Sequence, residues 1–301
     1  MSVSWATSSP EELRAHHARD AVEQAGPLPD DVRETAVAEA GDFRGGLLFT
    51  PSVGAAGSVI VYFHGGGFVA GSPQSHRCVT AWLAKFSGMP VLSARYRLAP
   101  EHPFPAQRED AVAAYHLAVA MSAAPDRARI ILAGDSAGAC VALWGLRGLP
   151  PAMRERVAGL LLLYGGYGQV ASDSIARRGT AENGLDQETL TVMYNRLGDA
   201  ALPGADPIWP LAFARDIAEP AYVLAAELDA VHDDSVRLFQ ALPHHPESAF
   251  RLVAGRDHGF LKQAGRDPIA SRELERASAW VRRLPPIRSQ IGTPEATTRS
   301  F

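Results

Sequence analysis

The sequence has little cysteine: Cys78 and Cys140 are the only two in 301 residues. Two thiols cannot build a disulfide scaffold, so a loop-rich fold held by bridges is excluded. Cys140 falls on an apolar helical stretch and reads as a small buried hydrophobe. A reactive thiol would need an electropositive, half-exposed setting that the sequence does not supply. Neither sign of charge is in excess. The formal net charge is −4, with 21% charged residues and no long like-charged run. That balance gives no reason to expect nucleic acid or an anionic membrane as a partner. No apolar stretch approaches the roughly 20 residues that cross a bilayer. Met1 to Trp5 is not followed by a basic and then an apolar region, so no signal peptide is expected. A cytoplasmic protein is the expectation these absences leave. Clusters with zinc-ligand spacing are also missing, and no metal or organic cofactor is expected.

What is present is a hydrophobic fraction of 47%, ordinary for one globular domain with a sizeable core. Ser9-Pro10-Glu11-Glu12 combines an N-cap, a proline at the first helical position and a glutamate at the third. It predicts a helix running to about Gln24, with Gly26-Pro27 as its stop. His16 and His17 on it point about 100° apart and read as surface histidines, not a shared metal site. From about residue 57, β-branched runs alternate with helical segments. Strands are expected at Ser58–Phe63, Val91–Tyr96, Arg129–Ala133, Val157–Leu163, Ala221–Ala226 and Phe250–Val253. Helices are expected at Ala106–Ala124, Ala137–Leu146, Asp233–Leu242 and Ile269–Leu284. The alternation means βαβ units and an α/β fold with a mostly parallel sheet.

The stretch from Tyr164 to Pro220 is too long for a connecting loop and carries a helical segment over Leu185–Arg196. The expected organisation is therefore N-terminal lid helices at 1–40, a core at 41–164 and 220–285, a helical lid insertion at 165–219, and a loosely ordered Pro/Ser/Thr-rich tail at 286–301.

Two motifs carry chemistry. Gly134-Asp135-Ser136-Ala137-Gly138 lies between a strand and a helix, the setting in which G-x-S-x-G forms a nucleophile elbow. Side chains two residues either side of the serine would collide there, which is why glycines flank it. His64-Gly65-Gly66-Gly67-Phe68 follows the Ser58–Phe63 strand directly. Consecutive glycines expose backbone N–H groups, and such donors stabilise the oxyanion of acyl transfer. Gly66 and Gly67 are assigned as donors with Ala137 as the third, and Gly65 could replace one of them. A phosphate-cradling loop is the competing reading, but no Gly-Lys-Ser/Thr follows. His64 reads as shaping this loop, and Asp135 as a local hydrogen-bond partner that stiffens the elbow.

With a third stretch, Tyr96-Arg97-Leu98-Ala99-Pro100-Glu101-His102-Pro103-Phe104-Pro105-Ala106, the chain resembles the hormone-sensitive lipase family of α/β-hydrolases over roughly residues 40 to 285. In that family the third stretch is structural, so Glu101 and His102 are not taken as catalytic. The acid and base should follow the serine in the order Asp/Glu, then His. The family's acid segment is matched by Asp229-Ala230-Val231-His232-Asp233-Asp234, which lacks the family's proline. Asp229 is the assignment, with Glu227, Asp233 and Asp234 as competitors. His258, in Arg256-Asp257-His258-Gly259-Phe260, is the base. Ala139 stands where many relatives have a further glycine.

The resemblance implies a serine carboxylesterase acting on short- to medium-chain acyl esters through Ser136, His258 and Asp229. It also implies a homodimer through the last strand and helix. Phe68, Trp209, Leu211 and Phe260 are expected as apolar pocket walls. Two other functions use the same fold: hydrolysis of an N-acetyl or other amide, and a receptor that binds a small molecule without turnover. Receptors of that kind lose the base, which His258 argues against.

Overall fold

The computed structural model describes residues 3–54, 57–122, 128–198 and 208–285. The chain opens with α1 (Pro10–Gln24). Its capping box is complete: the Ser9 hydroxyl accepts from Glu12 N–H, and the Glu12 carboxylate accepts from Ser9 N–H. The next elements are strands, β1 (Val32–Val37) and β2 (Gly46–Pro51). The expectation of lid helices throughout residues 1–40 is therefore corrected to one helix followed by an edge strand. β1 is polar and largely exposed on both faces, so it carries no period-2 apolar signal in the sequence.

There follow β3 (Ser58–Phe63), α2 (Arg77–Ser87), β4 (Val91–Ala94), α3 (Ala106–Met121), β5 (Arg129–Asp135), α4 (Ala137–Gly148), the single turn α5 (Pro151–Arg154) and β6 (Val157–Leu163). The long insertion holds α6 (Asp173–Arg178), α7 (Gln187–Asn195) and α8 (Pro210–Phe213). The core resumes with β7 (Ala221–Ala226), α9 (His232–Ala241), β8 (Ala249–Val253) and α10 (Pro268–Arg283). The tail at 286–301 lies outside the described residues, as do Asp206 and Pro207 of the insertion.

The eight strands form one sheet in the order β1-β2-β4-β3-β5-β6-β7-β8. β1 and β2 run antiparallel at one edge, and every pairing from β4 to β8 is parallel. All six residues of β3 are buried, as a strand covered on both faces requires. Its side chains alternate between two cores. Val59, Val61 and Phe63 join the cluster under α3 and α4, while Ile60 and Tyr62 join the one under α2 and α10. Cys140 is buried in the first of these. Among the described residues no helix is long and apolar enough to cross a membrane. β8 forms the other edge, with Phe250 and Leu252 exposed.

Parallel strands bring their carboxyl ends to one side of the sheet, where the following turns converge. The turns after β3, β5, β7 and β8 are the four segments that carry the two glycine motifs, Asp229 and His258.

Candidate active site

β5 passes into α4 at Ser136, whose backbone has φ 53° and ψ −124°. A serine at positive φ is strained, at a cost on the order of 1–3 kcal/mol. The surroundings hold it there: Ser136 N–H donates to Leu163 O at 2.9 Å, and α4 begins at the next residue. The flanking glycines are required sterically. A methyl on Gly134 would lie 2.3 Å from the Gly138 carbonyl, and one on Gly138 would lie 2.0 Å from Phe63 O. The elbow is thus wedged against the end of β3, where the glycine loop starts.

The structure brings Ser136, His258 and Asp229 into one line. His258 Nε2 lies 2.8 Å from Ser136 Oγ, and Nδ1 lies 2.8 Å from Asp229 Oδ2. Asp229 is buried, and its Oδ1 accepts from Val231 N–H at 2.9 Å. The imidazole keeps 23% of its surface open to the pocket. Burial disfavours the charged ring, but the charge of Asp229 and its hydrogen bond outweigh that, so the His258 pKa lies above the ordinary imidazole value. The rival carboxylates are engaged elsewhere. Glu227 accepts from Gly255 N–H, Asp233 from Ser174 N–H, and Asp234 from the Gln169 side chain.

Across the pocket, Gly65 N–H donates to Asp135 Oδ1 at 3.0 Å. That bond removes Gly65 from the candidates for an oxyanion donor. Among the described residues, Gly66 N–H, Gly67 N–H and Ala137 N–H have no protein acceptor. Gly66 and Gly67 sit at φ 124° and 60°, and Gly67 is packed against Met193 so closely that a methyl would lie 2.5 Å from the sulfur. The loop is fixed from beneath. Asp135 Oδ1 also accepts from Tyr62 OH at 2.7 Å, and Oδ2 lies 3.3 Å from His76 Nε2. His64 is buried against Tyr96, whose hydroxyl donates to His64 O at 2.8 Å. Burial, with the neighbouring His76, lowers the His64 pKa to about 3, so the ring is a neutral structural group. Ala99 N–H donates to Phe68 O, and Glu101 pairs with Arg14 of α1. The third family segment therefore braces the loop and anchors α1.

These groups face a pocket of about 330 Å³. Phe68 is part of its wall. Trp209, Leu211 and Phe260 are not, which corrects their assignment as pocket walls. Trp209 packs tilted against Tyr194 with ring centroids 4.4 Å apart, Leu211 packs on the core under α4, and Phe260 is buried in the opposite core 5.8 Å from Tyr164. The apolar walls instead come from Leu190, Met193 and Tyr194 of α7, with Val231 after β7. His17 also lines the pocket. It is buried, against the expectation of a surface histidine, and stacks on His76 at 5.7 Å. The signal was present in the sequence: Leu13, His17 and Ala21 share one face of α1 at four-residue spacing, and all three are buried.

Comparison with known proteins fits this geometry. A family model described as "alpha/beta hydrolase fold" matches residues 60–262. An esterase from Pyrobaculum calidifontis is 26% identical, with 92% of this chain and 93% of that chain covered and a TM-score of 0.75. The thermostable carboxylesterase EstE1, cloned from a metagenomic library, is 26% identical, with 93% and 99% covered and a TM-score of 0.75. An esterase from the bacterial hormone-sensitive lipase family superposes with a TM-score of 0.78 at 24% identity, covering 92% of each chain.

Proposed function

We propose that this chain, which belongs to the α/β-hydrolase fold family, is a serine carboxylesterase for short- to medium-chain acyl esters. The observation that carries the reading is the continuous contact from Ser136 Oγ through His258 to the buried Asp229, at 2.8 Å in each step. In this reading His258 takes the Ser136 proton as the hydroxyl attacks the ester carbonyl. The raised His258 pKa supports that role, because Asp229 stabilises the imidazolium that forms. Gly66, Gly67 and Ala137 N–H stabilise the oxyanion, a contribution on the order of 10²–10³ in rate for each donor. His258 then protonates the departing alcohol, and water hydrolyses the acyl-enzyme.

The 330 Å³ pocket supports acyl groups of modest length. The insertion and α1 act as the lid: Trp5 packs on Gly184, and Ile175, Leu190 and Met193 form a small core with Ala230 and Val231 beside the catalytic acid. The exposed Phe250 and Leu252 on the edge strand β8 support pairing of two copies there. The test is hydrolysis of p-nitrophenyl acetate, butyrate, octanoate and laurate by the purified protein and by Ser136→Ala. The expected result is a rate optimum at the shorter chains and complete loss in the variant, with an unchanged melting curve. Turnover by Ser136→Ala would remove the serine from its role, and a laurate optimum would overturn the chain-length assignment.

A further inference from the structure

The pocket's polar side holds a lysine with no ion-pair partner among the described residues. Lys262 sits on the short 3-10 turn Phe260–Gln263 that follows His258, and it lines the pocket. Its ammonium folds back over Gly259, where an added methyl would lie 3.4 Å from Nζ. Lys262 is half-buried, yet among the described residues it has no carboxylate within ion-pair distance and no hydrogen-bond acceptor. It is one of two lysines among 29 Lys and Arg residues.

The carboxylates near it are already committed or open to water. Asp135 is engaged by Tyr62, Gly65 and His76, Asp229 by His258, and Asp20 by His16 at 3.1 Å. Glu182 and Asp257 are exposed at the rim, where solvent and salt screen them. The ammonium therefore has no direct counter-ion at the pocket, and an anion supplied by a ligand would fill that place.

The chemistry fixes which part of the substrate meets it. His258 must hand its proton to the leaving oxygen, so the alcohol departs across the imidazole. Lys262 stands on the turn that carries that imidazole, and its charge is felt by His258, Asp135 and His17. The apolar residues of α7 close the pocket against Gly67, and in the esterase reading that side takes the acyl group. We propose that Lys262 is a specificity-determining residue that selects esters whose alcohol portion bears an anionic group, such as the carboxylate of a hydroxy acid. The inference rests on the esterase reading above and names its substrate class.

The test compares 3-acetoxybenzoate with its neutral isostere 3-acetoxybenzamide, both measured at one pH on the plateau of the wild-type rate profile. The ratio of the two kcat/KM values should fall about tenfold in Lys262→Gln, mainly through KM of the anionic ester, and should be largely kept in Lys262→Arg. In a Ser136→Ala background, calorimetric affinity for 3-acetoxybenzoate should weaken by a similar factor on Lys262→Gln, and the difference should shrink with added salt. Equal losses on both esters, or unchanged affinity, would overturn the proposal and leave Lys262 as a counter-charge for Asp135. Failure of the wild-type enzyme on the neutral ester would strike the esterase reading instead, while the binding comparison would still decide the role of Lys262.

Discussion

Removing Asp135 tests whether the oxyanion loop is positioned from beneath. The carboxylate is buried and accepts from Gly65 N–H and Tyr62 OH on one oxygen, with His76 on the other. Burial would push its pKa up, but the charge and hydrogen bond of His76, with Tyr62 adding to them, hold it well below the usual carboxylate range. Asp135→Ala strands Tyr62 OH and leaves Gly65 N–H only its longer 3.3 Å contact with His76 Nε2, at about 1–3 kcal/mol each. The loss of about 2–6 kcal/mol is a large share of a total stability of about 5–15 kcal/mol. At roughly 2 °C per kcal/mol for a chain of this size, Tm should drop by about 4–12 °C. Gly65 is the residue next to Gly66, so its release also displaces the oxyanion donors. A misplacement of about 1 Å costs on the order of 10² in rate, and kcat for p-nitrophenyl butyrate should fall by that factor with KM within a few-fold.

Asp135→Asn separates hydrogen bonding from charge. Its amide oxygen can still accept from Gly65 and Tyr62, and its NH₂ can donate to a neutral His76. It should lose less than about a third of the Tm change and stay within about tenfold of the wild-type rate. Thermal melts and initial rates on the three proteins decide the matter. An alanine variant with wild-type kcat, or an asparagine variant as damaged as alanine, would refute the tether argument.

The catalytic base sets a pH limb. Only neutral His258 can accept the serine proton, so kcat/KM should be lost as pH falls through its pKa, which lies above 6.5. Asp229→Asn should lower kcat by about 10⁴ and move the limb to lower pH, since burial then acts on the ring unopposed; a limb left in place would contradict the assignment. Gly138→Ala forces a methyl to within 2.0 Å of Phe63 O, so it should cost about 1–3 kcal/mol and most of the activity; a fully active, equally stable variant would refute the wedge. Asp234 is buried, and desolvation raises its pKa to about 7, above the unfolded value. The folded state therefore keeps a proton that the unfolded state releases, and stability falls as pH rises from about 4 through 7, by on the order of 4 kcal/mol. Denaturation of Asp234→Asn should show a gain over wild type at pH 8 that vanishes near pH 4, and a pH-independent difference would count against it.

The sequence made the sheet's interior legible because buried parallel strands are nearly continuous apolar runs. Ser58–Phe63, Val157–Leu163 and Ala221–Ala226 were read with their observed bounds. It hid β1, whose polar residues pair only with β2, and α2, whose Cys78, Val79 and Thr80 are weak helix formers held by packing on α10 rather than by propensity. His17 differs: its four-residue spacing with Leu13 and Ala21 marks the buried face of α1, and Arg14 docks that helix on Val69 and Glu101.

The same distinction explains why the reacting groups could be read and the pocket walls could not. Each motif carries close contacts among residues a few positions apart, Gly134 against Gly138 and Gly71 against Gly65 and His64, beside the distant ones from Phe63 and Asp135. Such constraints leave glycines at set spacings, and the spacing survives in the sequence. The walls are made by segments that meet only in the folded chain. Trp5 closes on Gly184, and Met193 reaches Gly67 from more than a hundred residues away. No local spacing encodes those contacts, so an aromatic such as Trp209 or Phe260 is indistinguishable in sequence from a pocket residue, although each serves the core. Substrate choice is therefore written in the part of the chain that motif reading reaches least. Lys262 is the exception, since it lies four residues after the catalytic base and inherits its position from it.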